Sequence, residues 1–244
     1  MILDKELLTK LYWEKSLSLP KIAKRFGTYT SKIWQLMKLY DIPRRNMSES
    51  KRRFIQIIPS PSLSYAIGAL IGDGYYWAKR HSVGIKVKDF DFINAFNRAI
   101  SEVLSKKLYK IVKVKGRGQY QIATKMRAFS DWYIHLSEIE RLEVASKYPA
   151  DFIRGFADAE GSSRVKIKGN SKLIEITFSN TNIRYLATMR KLLAELDIQS
   201  SKIWTTHYRG HPYYAFAICS KKNVEKYYEK VGFSIQRKVL KVEE

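Results

Sequence analysis

Two tripeptides of one pattern, a small residue followed by an acid and a glycine, hold the residues best suited to chemistry. Their acids are Asp73 and Glu160, 87 residues apart. If both acids reach one place, their like charges are mutually unfavourable unless a divalent cation lies between them. Carboxylate oxygens are hard ligands that suit Mg²⁺, which typically completes its coordination shell with waters and a phosphate. The pattern therefore predicts a metal site that acts on a phosphate, provided that the fold brings the acids together.

Each acid ends a stretch with a helical pattern in which small residues fall four positions apart. These residues are Gly68 and Gly72 in the first stretch and Gly155 and Ala159 in the second. Glycine inside a helix costs about 1 kcal/mol relative to alanine, so two copies of the pattern need a reason. Close approach of two backbones is that reason. We expect the two helices to pack side by side and in parallel, which places both acids at adjacent helix ends.

The chain repeats itself around these two stretches. YAIGALIGDGYYW (residues 65–77) aligns without gaps on FIRGFADAEGSSR (residues 152–164). Behind each copy come an alternating strand pattern, a helix, a hairpin and a closing helix, so that the order helix, strand, strand, helix, strand, strand, helix occurs twice. The closing helices are FSDWYIHLSEIERL and NVEKYYEKVGF. A tandem duplication with two pseudo-symmetric halves, residues 64–148 and 149–244, accounts for this order.

The two motif copies, GALIGDG and GFADAEG, resemble those of the LAGLIDADG homing endonucleases of the single-chain type, from about residue 60 onward. The resemblance implies that Asp73 and Glu160 bind the catalytic metal, Mg²⁺ or Mn²⁺, with the carbonyls of Gly72 and Ala159. It also implies two four-stranded antiparallel sheets that form a saddle over double-stranded DNA. The expected enzyme is a monomer that cuts one phosphodiester in each strand of a long asymmetric target site.

Further catalytic residues follow from the same resemblance. Family members carry a basic residue at the end of the fourth strand of each half, where this chain has Arg127 and Lys222. A polar residue on the second strand often orients water in the family. Lys88 or Asp89 in the first half, and Ser179 or Asn180 in the second, fall near that position; Lys88 and Asn180 are the residues we select.

Basic residues alternate with apolar residues along the predicted strands. An alternation of two places side chains on one face of a sheet, which here is the expected DNA-facing surface. The predicted DNA-binding residues of the strands and hairpins are Lys86, Lys88, Lys113, Lys115, Arg117, Lys166, Lys168, Lys202 and Arg209.

Three short helical patterns precede the duplicated part. SLPKIAKRFGTYTSKIWQLMKLYDI (residues 18–42) resembles a helix-turn-helix, with Gly27 in the turn and Ala23 at the helix crossing. The residues expected to bind DNA are Ser31, Lys32, Gln35, Lys38, Arg44 and Arg45. Pro59 and Pro61 predict an extended linker, so we place a helix-turn-helix domain at 1–53 and a linker at 54–63. The predicted fold class is α+β: two αββαββα halves that form an antiparallel β-saddle, plus a small N-terminal all-α domain.

Composition limits the class of protein. Lys and Arg number 45 against 23 Asp and Glu, a net charge of +22 that implies a polyanionic partner. The single cysteine, Cys219, excludes an intrachain disulfide and a multi-cysteine zinc site. No apolar run is long enough to span a bilayer, and the N-terminus carries acids where a signal peptide is basic. We therefore expect an intracellular protein of the cytoplasm or an organelle matrix.

Three functions remain open. The first is a site-specific, metal-dependent DNA endonuclease. The second is an intron RNA maturase, which keeps the fold but acts by binding. The third is a DNA-binding regulator that does not cleave. Two juxtaposed carboxylates favour the endonuclease, because a protein that only binds has no need of them.

Overall fold

The computed structural model describes residues 3–44, 57–168, 171–208 and 210–240. The chain divides into two compact units, Met1–Gln56 and Ile57–Glu244. No helix within the described ranges is both long and apolar enough to cross a lipid bilayer.

The first unit is a small helical bundle. Its helices are α1 (Lys5–Thr9), continued by a π-helical turn (Lys10–Glu14), α2 (Leu19–Arg25) and α3 (Thr30–Leu39). Asp4 caps α1 by accepting a hydrogen bond from the Leu7 amide at 2.8 Å. Gly27 turns the chain between α2 and α3 with a φ of +60°, a conformation that favours glycine. The core is formed by Leu8, Ile22, Ile33 and Met37, which are all fully buried.

The second unit contains two halves with the same element order. The helices of the first half are α4 (Pro61–Asp73), α5 (Phe90–Val103), α6 (Arg127–His135) and α7 (Glu138–Ala145), and its strands are β1 (Gly74–Trp77), β2 (Ser82–Val87), β3 (Val112–Val114) and β4 (Gln119–Ala123). The helices of the second half are α8 (Pro149–Glu160), α9 (Ile183–Glu195) and α10 (Lys221–Lys230), and its strands are β5 (Gly161–Lys168), β6 (Ser171–Asn180), β7 (Trp204–Tyr208) and β8 (His211–Ile218).

The strands form two antiparallel four-stranded sheets, in the orders β1-β2-β4-β3 and β5-β6-β8-β7. The predicted α+β class with two αββαββα halves is confirmed. In each sheet one face packs on helices: Val83 and Ile85 are buried in the first sheet, and Ile176, Phe178 and Phe216 are buried in the second. The opposite face of each sheet, which we call the outer face, is left for solvent or a ligand.

Helices α4 and α8 pack against each other along their length. A Cβ atom added to Gly68 would overlap the carbonyl oxygen of Phe152, and one added to Gly72 would overlap the Cβ of Ala159. The contacts advance in the same direction along both helices, so the helices are parallel. The close approach predicted from the small residues is confirmed, because no larger side chain fits at these positions.

Two local predictions are wrong. The predicted linker extends through residue 63, whereas α4 begins at Pro61; proline suits the first helical turn, and Ser60 caps this helix by accepting from the Leu63 amide at 3.1 Å. FSDWYIHLSEIERL is predicted as one helix and forms two, α6 and α7. Ser137 interrupts it, because its hydroxyl accepts from the Glu140 amide while the Glu140 carboxylate accepts from the Ser137 amide.

Candidate active site and nucleic-acid surface

Asp73 and Glu160 are the last residues of α4 and α8. A Cβ atom on Gly72 would lie 3.0 Å from the Cγ of Glu160, so the ends of the two helices, and with them the acids, are adjacent. Burial raises the pKa of Asp73. Burial, followed by the negative charge of Asp73, raises the pKa of Glu160 to about 7. The two carboxylates therefore carry an unfavourable charge that a cation can relieve.

The donor set fits a hard divalent cation. Two carboxylates, with the carbonyl oxygens of Gly72 and Ala159 in the same helix ends, offer oxygen ligands alone. No group of three His, Cys, Asp or Glu side chains able to hold a metal occurs among the described residues. A metal held by these two acids thus keeps coordination positions for water and a phosphate, as Mg²⁺ does.

Lys238 lies near both acids, since its charge lowers the pKa of Asp73 and of Glu160, and no motif in the sequence points to it. Its side chain is 6% exposed, and its ammonium donates to the carbonyl oxygens of Ala157 at 3.0 Å and Asp158 at 2.7 Å. Burial lowers the pKa of Lys238 to about 8, against the raising effect of Asp158, Asp89 and Asp73. Lys238 is one of 45 Lys and Arg residues, and nothing in the sequence around it distinguishes it from a lysine that is exposed.

A cavity of about 430 Å³ opens beside Asp73 and is lined by Lys86, Lys88, Asp89, Ala159 and Lys238 among others. Lys88, a predicted catalytic residue, is thus placed near Asp73. The alternative at this position, Asp89, is bound by the guanidinium of Arg237 through two hydrogen bonds of 2.6 and 2.8 Å. Those hydrogen bonds lower the pKa of Asp89.

Asn180, the selected polar residue of the second half, lies against Glu160. Its side-chain amide donates to Oε1 of Glu160 at 3.0 Å, and its Oδ1 accepts from the Asn182 amide at 2.8 Å. Because Oδ1 of Asn180 is bound to the Asn182 amide, the NH₂ group of the Asn180 side chain is the end that faces Glu160. Ser179 is directed elsewhere, since its hydroxyl accepts from the Tyr213 phenol at 2.8 Å.

Arg127 and Lys222 are not at the ends of the fourth strands, where the resemblance places them. Both lie in the first turn of the following helix, α6 and α10. Arg127 donates to the Asp131 carboxylate at 3.1 Å. Lys222 is exposed, and its charge contributes to lowering the pKa of Asp197. The fourth strand of each half ends a few residues before these positions, which moves both side chains onto helices.

The registers of the strands decide which basic residues share the outer face. In the first sheet, Lys86 pairs with Gln121. In the second sheet, Lys166 pairs with Leu173, and Arg164, two residues earlier and on the same face, pairs with Glu175. In the second sheet, Glu175 is 5% exposed and binds Arg164 Nε at 2.8 Å and Lys166 at 3.1 Å. A buried acid thus holds two exposed cations on the outer face.

Lys113 is an exception to the predicted single face. It pairs with Tyr120, which pairs in turn with Val87, so it lies on the opposite face from Lys86. Lys115 and Arg117 lie in the turn between β3 and β4, and Lys202 lies exposed before β7. Arg209 and the side chain of Lys168 are outside the described residues.

In the first unit, the predicted DNA-binding residues of α3 share an exposed face: Ser31, Lys32, Gln35 and Lys38. The ammonium of Lys38 and the guanidinium of Arg44 lie 5.2 and 4.7 Å from the ring centre of Trp34. This tryptophan therefore orders two cations beside the helix. Arg45 is outside the described residues.

Comparisons with known proteins identify a family and relatives for this chain. Residues 147–232 match the family model of the LAGLIDADG-like domain. Over 206 residues the chain is 31% identical to an uncharacterised protein of Methanocaldococcus jannaschii, MJ0398, covering 78% of this chain and 73% of the relative.

Solved structures share the fold. Mesophilic variants of the homing endonuclease I-DmoI match with a TM-score of 0.52 and 19% identity, over 70% of this chain and 95% of theirs. A substituted form of I-DmoI in complex with its target DNA and in the presence of manganese matches with a TM-score of 0.50 and 19% identity, over 70% and 93%. Full-length DUF199/WhiA from Thermatoga maritima matches with a TM-score of 0.51 and 17% identity, over 77% and 60%. At these identities the likeness establishes the fold alone.

Proposed function

The chain belongs to the family of LAGLIDADG-like proteins, and from this premise we propose that it is a site-specific, divalent-metal-dependent double-strand DNA endonuclease. The observation that carries the proposal is the meeting of Asp73 and Glu160, two acids with raised pKa values, at the adjacent ends of parallel helices. Structural support alone does not need two such acids side by side, because their repulsion destabilises the packing.

Asp73 and Glu160, with the carbonyls of Gly72 and Ala159, would hold the metal, Mg²⁺ or Mn²⁺. When bound, the metal supplies a Lewis acid for the scissile phosphate and lowers the pKa of a water. Asn180 orients the Glu160 carboxylate through its 3.0 Å hydrogen bond. Lys88 lies at the cavity beside Asp73, where its charge favours a phosphodiester.

The outer faces of the sheets are proposed to bind duplex DNA, with Lys86, Lys166 and Arg164 as cations toward the phosphates and bases. The two sheets are unequal: β5 and β6 span 8 and 10 residues, whereas β1 and β2 span 4 and 6. Unequal faces favour an asymmetric target read by a single chain. The first unit, with its exposed α3 face, is proposed as an additional helix-turn-helix contact.

A second candidate is a DNA-binding protein on the same fold that does not cleave. Two observations favour it. The ammonium of Lys238 lies at the end of α8 beside the acids, and Arg127 and Lys222 lie on helices near other carboxylates. The two candidates differ in whether phosphodiesters are broken.

The test is incubation of the full chain with Mg²⁺ and a randomised duplex library, followed by sequencing of the DNA ends. We expect defined double-strand ends that disappear with a chelator. Asp73→Asn and Glu160→Gln should abolish cutting while binding persists, because the charge that holds the metal is lost and the outer faces are intact. Glu195→Gln, an exposed acid on α9, serves as the matched control and should cut normally. Binding without cutting by the unaltered chain would leave the second candidate.

A further inference from the structure

Residues 233–240, which we call the strap, join the C-terminal end of α8 to the N-terminal end of α5. The Ser234 amide donates to Oδ1 of Asp158 on α8 at 2.9 Å, and the Gln236 amide donates to Oδ2 of Asp91 on α5 at 3.2 Å. Arg237 adds its paired hydrogen bonds to Asp89. The strap therefore begins in the second half and is anchored on the first.

The strap carries Lys238 into the interior at the end of α8. The two carbonyl oxygens that accept from its ammonium belong to the last turn of that helix, where a positive charge is favourable. The lysine backbone is held too, because its carbonyl accepts from Ser163 on β5 at 2.5 Å and from the Tyr228 phenol at 3.3 Å. Lys238 is thus fixed at both its backbone and its charged end.

Lys238 lines the cavity of about 430 Å³ together with Asp73, Asp89 and Asp158, three carboxylates from the two halves whose charges raise its pKa. The charge of Lys238 in turn lowers the pKa of Glu160. Of these acids, Asp89 also binds Arg237, Asp158 accepts from the Tyr65 phenol at 2.7 Å, and Glu160 accepts from the neutral Asn180 amide. Asp73 and Glu160 are the acids assigned to the metal. Removing the ammonium would take away a positive charge that acts on both of them.

We propose that Lys238 is a positioning residue that holds the ends of α4 and α8 together in the absence of metal and weakens divalent-metal binding there. The physical basis is charge competition: an ammonium and a divalent ion relieve the same repulsion, and each disfavours the other through space. The inference rests on the proposed function in one respect, that Asp73 and Glu160 take a divalent ion.

The test compares the unaltered full-length chain with Lys238→Met, Lys238→Arg and a control, Lys191→Met, which changes an exposed lysine on α9. Mn²⁺ affinity is measured by water-proton relaxation, and thermal unfolding is measured with and without Mg²⁺. In Lys238→Met we expect Mn²⁺ affinity to rise about tenfold, through lost repulsion between like charges. Its metal-free melting temperature should fall, and saturating Mg²⁺ should recover most of that loss.

Lys238→Arg keeps the charge and should retain the metal affinity of the unaltered chain, as should Lys191→Met. An unchanged or lower Mn²⁺ affinity in Lys238→Met, with a melting loss that Mg²⁺ does not recover, would overturn the proposal and leave a simple helix cap.

If Lys238→Met does not fold, Asp73→Asn is added to it. Removing the Asp73 charge should then restore folding, because the repulsion between the two acids is reduced. If Lys238→Met fails to fold equally with and without Asp73→Asn, the positioning role is overturned. If the unaltered chain bound no Mn²⁺ at all, the proposed endonuclease would fail. Coupling between Lys238 and Asp73 in the melting temperatures would still support the positioning role in that case.

Discussion

At the scale of single residues, the protonation of Glu160 links stability to pH. Its ordinary pKa is 4.5 and its folded value is about 7, raised first by burial and then by Asp73. Between these values the folded chain holds a proton that the unfolded chain has released. The contribution of this proton to stability is therefore largest at low pH and is lost as pH rises toward 7.

We predict that, without metal, the melting temperature of the unaltered chain falls relative to that of Glu160→Gln between pH 5 and pH 8. In a chain of this size, each kcal/mol lost from the free energy of unfolding lowers the melting temperature by about 2–4 °C. Thermal scans at four pH values measure the difference, and Glu195→Gln is the control that should follow the unaltered chain. A constant difference across this range would show that Glu160 has an ordinary pKa.

Residue chemistry was only partly readable in the sequence. Asp73 and Glu160 stand out because the same tripeptide pattern occurs twice with a helix before it. Lys238 does not, because its burial depends on contacts of the strap with two distant segments, which no local spacing encodes. Arg127 and Lys222 illustrate a different difficulty. The order of the elements was predicted correctly, but the fourth strands end a few residues earlier than expected, so both residues lie on the helices that follow.

At the scale of elements, the close packing of α4 and α8 could be predicted from the spacing of their small residues. Helices that approach this closely leave no room for a side chain, so the requirement appears as glycine at fixed positions. Strand faces were less predictable. Lys113 lies on the unexpected face because the turn after β3 sets a register of Val112 with Gln121, and a shift of one residue exchanges the faces.

We predict that Gly155→Ala destabilises the second unit. The new Cβ atom would overlap the carbonyl oxygen of Tyr65 on α4, a backbone atom that moves only if the helices separate. Overpacking of this kind costs about 1–3 kcal/mol, against about 1 kcal/mol gained from alanine in a helix. Urea unfolding measures the net loss, with Ser62→Ala on α4 as the control, because the Ser62 hydroxyl donates to Glu102 on α5 at 2.7 Å. A stabilised Gly155→Ala variant would refute the tight packing.

At the scale of the whole molecule, charge dominates the expected behaviour. A net charge of +22 predicts DNA binding that weakens steeply with salt, because each neutralised phosphate contributes about −0.9 to the slope of log K against log salt. We predict a slope of about −5 or steeper, as expected for six or more phosphate contacts. Fluorescence anisotropy over a salt series measures it, and a slope near zero would argue against duplex DNA as the partner.

The same measurement separates the faces of the first and second sheets. Lys166→Ala, on the outer face, should reduce the slope by about 1, whereas Lys113→Ala, on the helix side of its sheet, should leave it unchanged. Equal effects of the two substitutions would mean that DNA does not distinguish the faces.

The division into two units predicts separable contributions to DNA recognition. A chain that begins at Ile57 should cut at the same position, with a footprint shortened on one side and binding weaker by about 10²-fold, because a tethered second contact raises the effective concentration. Footprinting of both chains on one target tests this. Identical footprints with different melting temperatures would assign the first unit a stabilising role alone.

The strap also determines the order in which the molecule can be completed. Its bonds from Gln236 to Asp91 and from Arg237 to Asp89 join residues 145 and 148 positions apart. Contacts of such large sequence separation form late in folding, because the entropy of closing a long loop opposes them. During translation, Asp73, Glu160 and the helices that carry them are made well before Lys238. The first sheet and the pairing of α4 with α8 can therefore form while the acids still lack their ammonium, so the helix pairing is acquired before the charge balance of its centre.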